Sequence, residues 1–181
     1  MASKAVFLDR DGTMAIDVVY CSRPEDFHLF PETADAIKLL RKHGFKVIVI
    51  TNQSGVGRGY FTEEALRRIH EKMVGELGAK GAKLDAVYYC PHHPDDHCEC
   101  RKPKPEMVLR AAREHDIDLA RSFVVGNSAA DIGLGKSAGC RTVLVARSLS
   151  EVEANLLKAD AVATTVLEAA EMIAGWSADE R

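Results

Sequence analysis

This chain has no long apolar run, no surplus of charge of either sign and no usable disulfide set, and each shortage excludes something. The longest apolar runs are about five residues, against the ~20 that a helix needs to span a bilayer, so no membrane partner is expected. Twenty-four basic residues against 27 acidic ones leave a formal net charge of −3, which gives no electrostatic case for nucleic acid or an anionic membrane surface. No apolar h-region precedes the first strand-like run, and a cytoplasmic location is the expectation. Internal repeats, low-complexity tracts and long linkers are missing. The cysteines number five, an odd total: Cys21, Cys90, Cys98, Cys100 and Cys140. Three of them crowd together beside His92, His93 and His97, a poor disulfide set and a better metal site.

What is present is an ordinary globular composition, 46% hydrophobic and 28% charged, on 181 residues that suit one domain spanning 1–181. Apolar strand-like runs at 5–8, 45–50, 86–90, 123–125 and 141–145, with a short edge strand at 160–162, alternate with helical patterns. The helices are expected at 32–43, 62–77, 105–115, 129–138, 149–157 and 165–174. Gly44 is a natural stop for the first of these, and Thr62 an N-cap for the second, which carries Leu66, Ile69, Met73 and Leu77 on one face. The alternation predicts an α/β fold: a doubly wound, mostly parallel, Rossmann-like sheet with helices on both faces. Two segments without periodicity, 15–31 and 91–105, are long enough for functional loops and should project from the C-terminal edge of the sheet. No room is left for a large cap domain, so the site should be open.

Chemistry concentrates behind the strands. Asp9 and Asp11 follow Ala5-Val6-Phe7-Leu8 directly, so both should emerge at the strand's C-terminal end, where open α/β sheets bind ligands. Strand alternation should point them the same way. Two unpaired carboxylates so close call for a hard cation such as Mg²⁺, with one acid free to act as nucleophile and the other to handle a proton. Thr51-Asn52-Gln53-Ser54-Gly55-Val56-Gly57-Arg58-Gly59 follows the second strand. Its glycines allow close backbone approach, and Thr51, Asn52, Gln53, Ser54 and Arg58 carry donors suited to phosphate. It is not a Walker A loop, because no Gly-Lys-Ser/Thr ends it. After the third strand, Cys90, Cys98, Cys100 and one of the three histidines suit a closed, structural tetrahedral Zn²⁺ site. That anchor would hold the basic run Arg101-Lys102-Pro103-Lys104-Pro105 near the two acids. The fourth strand ends in Gly126-Asn127-Ser128-Ala129-Ala130-Asp131.

The spelling D-x-D-G-T resembles the first motif of the haloacid dehalogenase-like phosphohydrolases. With T-N-Q-S-G-V-G-R-G, the Cys/His run ending in C-R-K-P, and V-G-N-S-x-x-D, it resembles the heptose 1,7-bisphosphate phosphatases and the related histidinol-phosphate phosphatase domain. The resemblance implies hydrolysis of a small sugar phosphate by a monomer. Asp9 would be the nucleophile and Asp11 the general acid/base, while Thr51 and Lys102 would stabilise the phosphoryl group. Arg101 would help choose the substrate, with Asp17, Val18, Val19 and Tyr20 forming a specificity loop. Cys90, His92, Cys98 and Cys100 match the zinc ligands. The family's fourth motif has Asp where this chain has Asn127, a weaker Mg²⁺ ligand through its amide oxygen. Asp131 would act through a coordinated water or by orienting Lys102. A histidinol-phosphate phosphatase, and a low-activity phosphosugar-binding homologue suggested by Asn127, are the alternative readings.

Overall fold

The computed structural model describes residues 2–147 and 159–179, so the expected helix at 149–157 lies outside the described residues. Strands are β1 (Lys4–Leu8), β2 (Phe45–Asn52), β3 (Ala86–Cys90), β4 (Phe123–Gly126), β5 (Arg141–Val145) and β6 (Ala161–Ala163). They form one sheet in the order β3-β2-β1-β4-β5-β6, and every pairing is parallel. Helices are α1 (Thr33–Lys42), α2 (Glu63–Ala79), α3 (Glu106–His115), α4 (Ala129–Ala138) and α5 (Val166–Asp179).

Sequence pattern accounts for the layering. Val6, Leu8, Val47, Val49 and Val125 point to one face and pack on Ile37, Leu40, Ile69, Met73 and Ile173 of α1, α2 and α5. Ala5, Phe7, Ile48, Ile50 and Val124 point to the other, under Met107, Val108, Ala111 and Leu134 of α3 and α4. Burial on both faces is why the central strands read as continuous apolar runs. Thr62 caps α2 by accepting from Ala65 N at 3.1 Å, and Gly44 leaves α1 with φ +80°. The order of the strands reverses between β1 and β4, which opens a crevice at their C-terminal ends.

The main differences from expectation fall at two element ends and in one loop. β2 runs on through Thr51 and Asn52 because they pair with Tyr89 and Cys90 of β3; strand pairing overrides the weak β-propensity of Asn. α5 extends to Asp179, where Trp176 stacks on Phe123 with ring centroids 5.7 Å apart. The 15–31 segment, expected as a projecting loop without periodicity, is tied down: Ala15 bridges Leu29, and Cys21 and Phe27 are buried.

Candidate active site

Asp9 lies one residue beyond β1, and its N–H donates to Val125 O on β4 at 2.9 Å. Its carboxylate is almost wholly buried. Lys102 Nζ donates to Asp9 Oδ1 at 2.6 Å, to Asp131 Oδ1 at 2.7 Å and to Ile50 O at 3.0 Å, which uses all three ammonium protons. Asp131 is held in turn by Ser128, whose N–H and Oγ–H donate to Oδ2 at 3.1 and 2.6 Å. Asp131 is thus both the N3 partner of the Ser128 cap in the capping box of α4 and the group that orients Lys102. Burial, then the Asp131 charge, push the Asp9 carboxyl up to about 7 against the pull of Lys102. Burial drags Lys102 down, but the Asp131 and Asp9 charges outweigh it and keep its pKa above the ordinary value.

Asp11 differs. Its side chain is 23% exposed and pairs with Arg10, and Gln53 Nε2 donates to its Oδ2 at 2.8 Å. Neither acid is the unpaired carboxylate expected from sequence: Lys102 serves Asp9 and Arg10 serves Asp11. Strand alternation does not align them either, since β1 stops at Leu8. A turn does so instead, with Arg10 O accepting from Met14 N and Ala15 N at 2.9 and 3.0 Å.

Gly12, with φ +79°, lets Asn127 settle against that turn; a Cβ there would stand 2.0 Å from Asn127 Nδ2. Asn127 therefore sits over the same turn that carries Asp9 and Asp11. This all-oxygen donor set fits Mg²⁺.

The substrate candidates divide. Asp17, Val18, Val19, Tyr20 and Ser54 line, with Asp11, a cleft of about 280 Å³. Asn52 and Gln53 also border it, but their side chains are engaged elsewhere. Asn52 exchanges two bonds with the Lys102 backbone at 3.3 and 3.1 Å. Gln53 Nε2 donates to Thr51 Oγ1 and to Asp11. Pairing β2 out to Asn52 aims these amides at the machinery, so they position it rather than wait for ligand. Thr51 is buried beside them. Arg58 lies against Tyr20, its guanidinium carbon 5.8 Å from the ring centre, and its buried Nε has no partner. Arg101 lines a second cavity of about 210 Å³ with Lys102, Pro94 and His97, and its buried Nη1 is likewise unpartnered. Larger grooves lie beside β3, away from the acids; chemistry marks the site here, not size.

The Cys/His loop converges on one point. Cys90, His92, Cys98 and Cys100 bring their ligand atoms within 4.8 Å of one another. Sγ separations are 3.5 Å for Cys90–Cys98 and 3.7 Å for Cys98–Cys100, while His92 Nδ1 stands 3.6 and 3.2 Å from Cys90 and Cys100 Sγ. A tetrahedron with Zn–S of about 2.3 Å and Zn–N of about 2.0 Å needs edges of about 3.8 and 3.5 Å. The four groups fit. His93 is excluded because its ring caps the Pro94–Asp96 turn, accepting from Asp95 N at 3.1 Å. The loop also rests on the glycine-rich segment: Gly57 N donates to Pro91 O at 2.7 Å, and a Cβ at Gly57 would stand 2.3 Å from His93 N.

Sequence reasoning missed Arg10 and His70. Arg10 reads as a spacer between two acids, and His70 falls on the apolar face of α2 with nothing to mark it.

Residues 99–169 match the HAD-hydrolase-like family model. The D-glycero-beta-D-manno-heptose-1,7-bisphosphate 7-phosphatase of Pasteurella multocida is 38% identical, over 95% of this chain and 97% of its own. The enzyme of that name from Yersinia pestis is 40% identical over 83% of this chain and 84% of its own. Among solved structures, the D,D-heptose 1,7-bisphosphate phosphatase of B. bronchiseptica, complexed with magnesium and phosphate, superposes with a TM-score of 0.86 at 35% identity. That match covers 96% of this chain and 99% of that one. With the fold and nearly the whole length matched, the chain belongs to the heptose-1,7-bisphosphate 7-phosphatase family of haloacid dehalogenase-like proteins.

Proposed function

We propose that this protein is a Mg²⁺-dependent phosphomonoesterase that removes the 7-phosphate of D-glycero-D-manno-heptose 1,7-bisphosphate through an aspartyl-phosphate on Asp9. The observation that carries the reading is the buried Asp9–Lys102–Asp131 cluster at the sheet's switch point, in a chain whose relatives bear that activity.

Lys102 occupies Oδ1 of Asp9, while Oδ2 has only a long contact from Thr13 Oγ1 at 3.4 Å. Oδ2 is therefore the attacking atom. Its bond to phosphorus forms as the ester P–O bond breaks, and the electron pair left on the leaving oxygen takes a proton from Asp11. Water then attacks phosphorus and gives a proton to Asp11 as the Asp9 Oδ2–P bond breaks, which releases inorganic phosphate and restores both acids. Thr51 and Lys102 hold the phosphoryl oxygens, and Asp17 to Tyr20 with Arg58 and Arg101 contact the rest of the substrate. Asp9, the main-chain carbonyl of Asp11 and Asn127 would hold the Mg²⁺, which when bound offsets charge on phosphate and carboxylates.

Cys90, His92, Cys98 and Cys100 hold a structural Zn²⁺ that braces the loop carrying Arg101 and Lys102. Three of the five cysteines serve the zinc, and the buried Cys21 and Cys140 form no disulfide, which supports a reducing compartment, the cytoplasm.

Phosphate release from the heptose bisphosphate and from histidinol phosphate, each with Mg²⁺, tests the reading. The heptose ester should be preferred at least about tenfold in kcat/KM, as loop contacts of 1–3 kcal/mol allow. Preference for histidinol phosphate would overturn the substrate, and no release from either would overturn the activity.

A further inference from the structure

Arg10 stands between the two acids in sequence, yet its side chain is wholly buried. A buried guanidinium needs a hydrogen-bond partner at each of its nitrogens. Its Nε and Nη2 donate to Asp11 Oδ1 and Oδ2 at 3.0 and 2.9 Å, a two-point fork on the carboxylate. Nη1 donates to His70 Nε2 at 3.1 Å. A guanidinium has no acceptor, so Nε2 presents its lone pair and the ring proton sits on Nδ1. Burial first, then the Arg10 charge, push His70 down to about 4, which keeps the ring neutral and able to accept. The Phe27 ring covers the guanidinium, its centre 5.6 Å from the central carbon.

A carboxylate offers about four lone-pair sites. Asp11 Oδ2 uses two, for Arg10 Nη2 and Gln53 Nε2, and Oδ1 uses one, for Arg10 Nε. One site remains open, on Oδ1.

We propose that Arg10, braced by His70, is the positioning residue of the proton-transfer carboxylate, leaving a single lone pair on Asp11 Oδ1 to carry the proton of the reaction. The inference rests on the phosphatase reading above and deepens it. As the Asp9 Oδ2–P bond forms and the ester bond breaks, the proton passes from Asp11 Oδ1 to the departing oxygen. Arg10 itself neither gains nor loses a proton. Lysine cannot take over, because a point-charge ammonium cannot hold both oxygens in one plane.

The test is aspartyl-phosphate formation by the full-length protein with Mg²⁺ from two donors. One is an alkyl sugar phosphate, whose alkoxide needs a proton to leave. The other is acetyl phosphate, whose acetate leaves without one. Arg10→Lys should slow the first by about 100-fold, the usual span of general acid catalysis, and the second by less than roughly threefold. An equal loss on both donors, or none on either, overturns the proposal. Should Arg10→Lys not fold, His70→Leu sits among the apolar residues Ile69 and Met73 of α2. It should show the same selective loss at about tenfold, and His70→Gln, whose amide oxygen accepts from Nη1, should restore most of it. An unselective loss in His70→Leu overturns the proposal equally. A wild-type protein phosphorylated by neither donor overturns the phosphatase reading and this inference with it, whereas an active wild type with unselective variants overturns the inference alone.

Discussion

The acid–lysine centre and the Cys/His loop both hold together groups that repel or resist burial, and they do so by opposite means. In the centre, Asp9, Lys102 and Asp131 come from positions 93 and 29 residues apart and meet in a nearly dry interior. Core packing brings the opposing charges together, and the fold supplies its own counter-ion. In the loop, all four ligands fall between Cys90 and Cys100, and His92, Cys98 and Cys100 are partly or fully exposed. Burial and its sulfur neighbours push the Cys90 thiol up to about 12, so thiolates at this spacing call for a cation from outside. A centre built by the whole fold should therefore survive loss of one charge in structure though not in chemistry. The loop should lose both together.

The first test removes the nucleophile. Asp9→Asn should lower turnover by about 10⁴-fold or more, while circular dichroism and thermal melting remain native-like because Lys102 keeps Asp131 and Ile50 as partners. Near-normal turnover in a verified preparation would refute the covalent route. The second test removes the loop's ion. Purified protein should contain one zinc per chain by metal analysis, lost on combined Cys98→Ser and Cys100→Ser substitution. Activity should then fall by about 10–100-fold, as for other losses of metal-site support, because Lys102 lies two residues beyond Cys100. Full activity without zinc would mean that Asn52 and Asp131 alone hold Lys102.

Asn127 sharpens the contrast from the Mg²⁺ side. An amide oxygen coordinates without the ionic attraction of a carboxylate, so Asn127→Asp should lower the Mg²⁺ concentration for half-maximal phosphate release by about 10–100-fold. Superimposable titrations would remove Asn127 from the metal. The smallest effect is in stability. With the Asp9 carboxyl raised from 3.8 to about 7, the folded protein keeps a proton there that the unfolded chain has released. Its contribution is thus complete at acid pH and is lost as pH rises through about 7. Asn does not titrate, so the Tm of Asp9→Asn relative to wild type, measured without Mg²⁺, should climb between pH 4 and 7 and then level off. A flat difference across that window would mean the Asp9 carboxyl is not raised by burial.

Much of this was legible beforehand for local reasons. The apolar runs, Thr62, Gly44 and the Cys spacing each encode backbone geometry or ligand type within a few residues, and the strands appear where those signals stand. The choice among His92, His93 and His97 was not legible from spacing, because it depends on which ring the Pro94–Asp96 turn draws into its cap; the family resemblance named His92, which the structure brings into the cluster. The tasks of Asn52 and Gln53 were also hidden, since donors suited to phosphate serve a lysine backbone or a carboxylate equally well.

By itself, the sequence determined the parallel α/β class, the strand-end placement of Asp9 and Asp11, and the four-ligand character of the 90–100 loop. Periodicity, turn chemistry and ligand spacing are properties of neighbouring residues. Only the tertiary structure decided that Lys102, shared with Asp131, is the counter-ion of Asp9, that Arg10 and His70 hold Asp11, and that Asn127 closes over Gly12. Apart from Arg10 and Asp11, which are neighbours, those pairings join residues far apart in the chain, and low-dielectric burial, which only the assembled core provides, is what makes each partner obligatory.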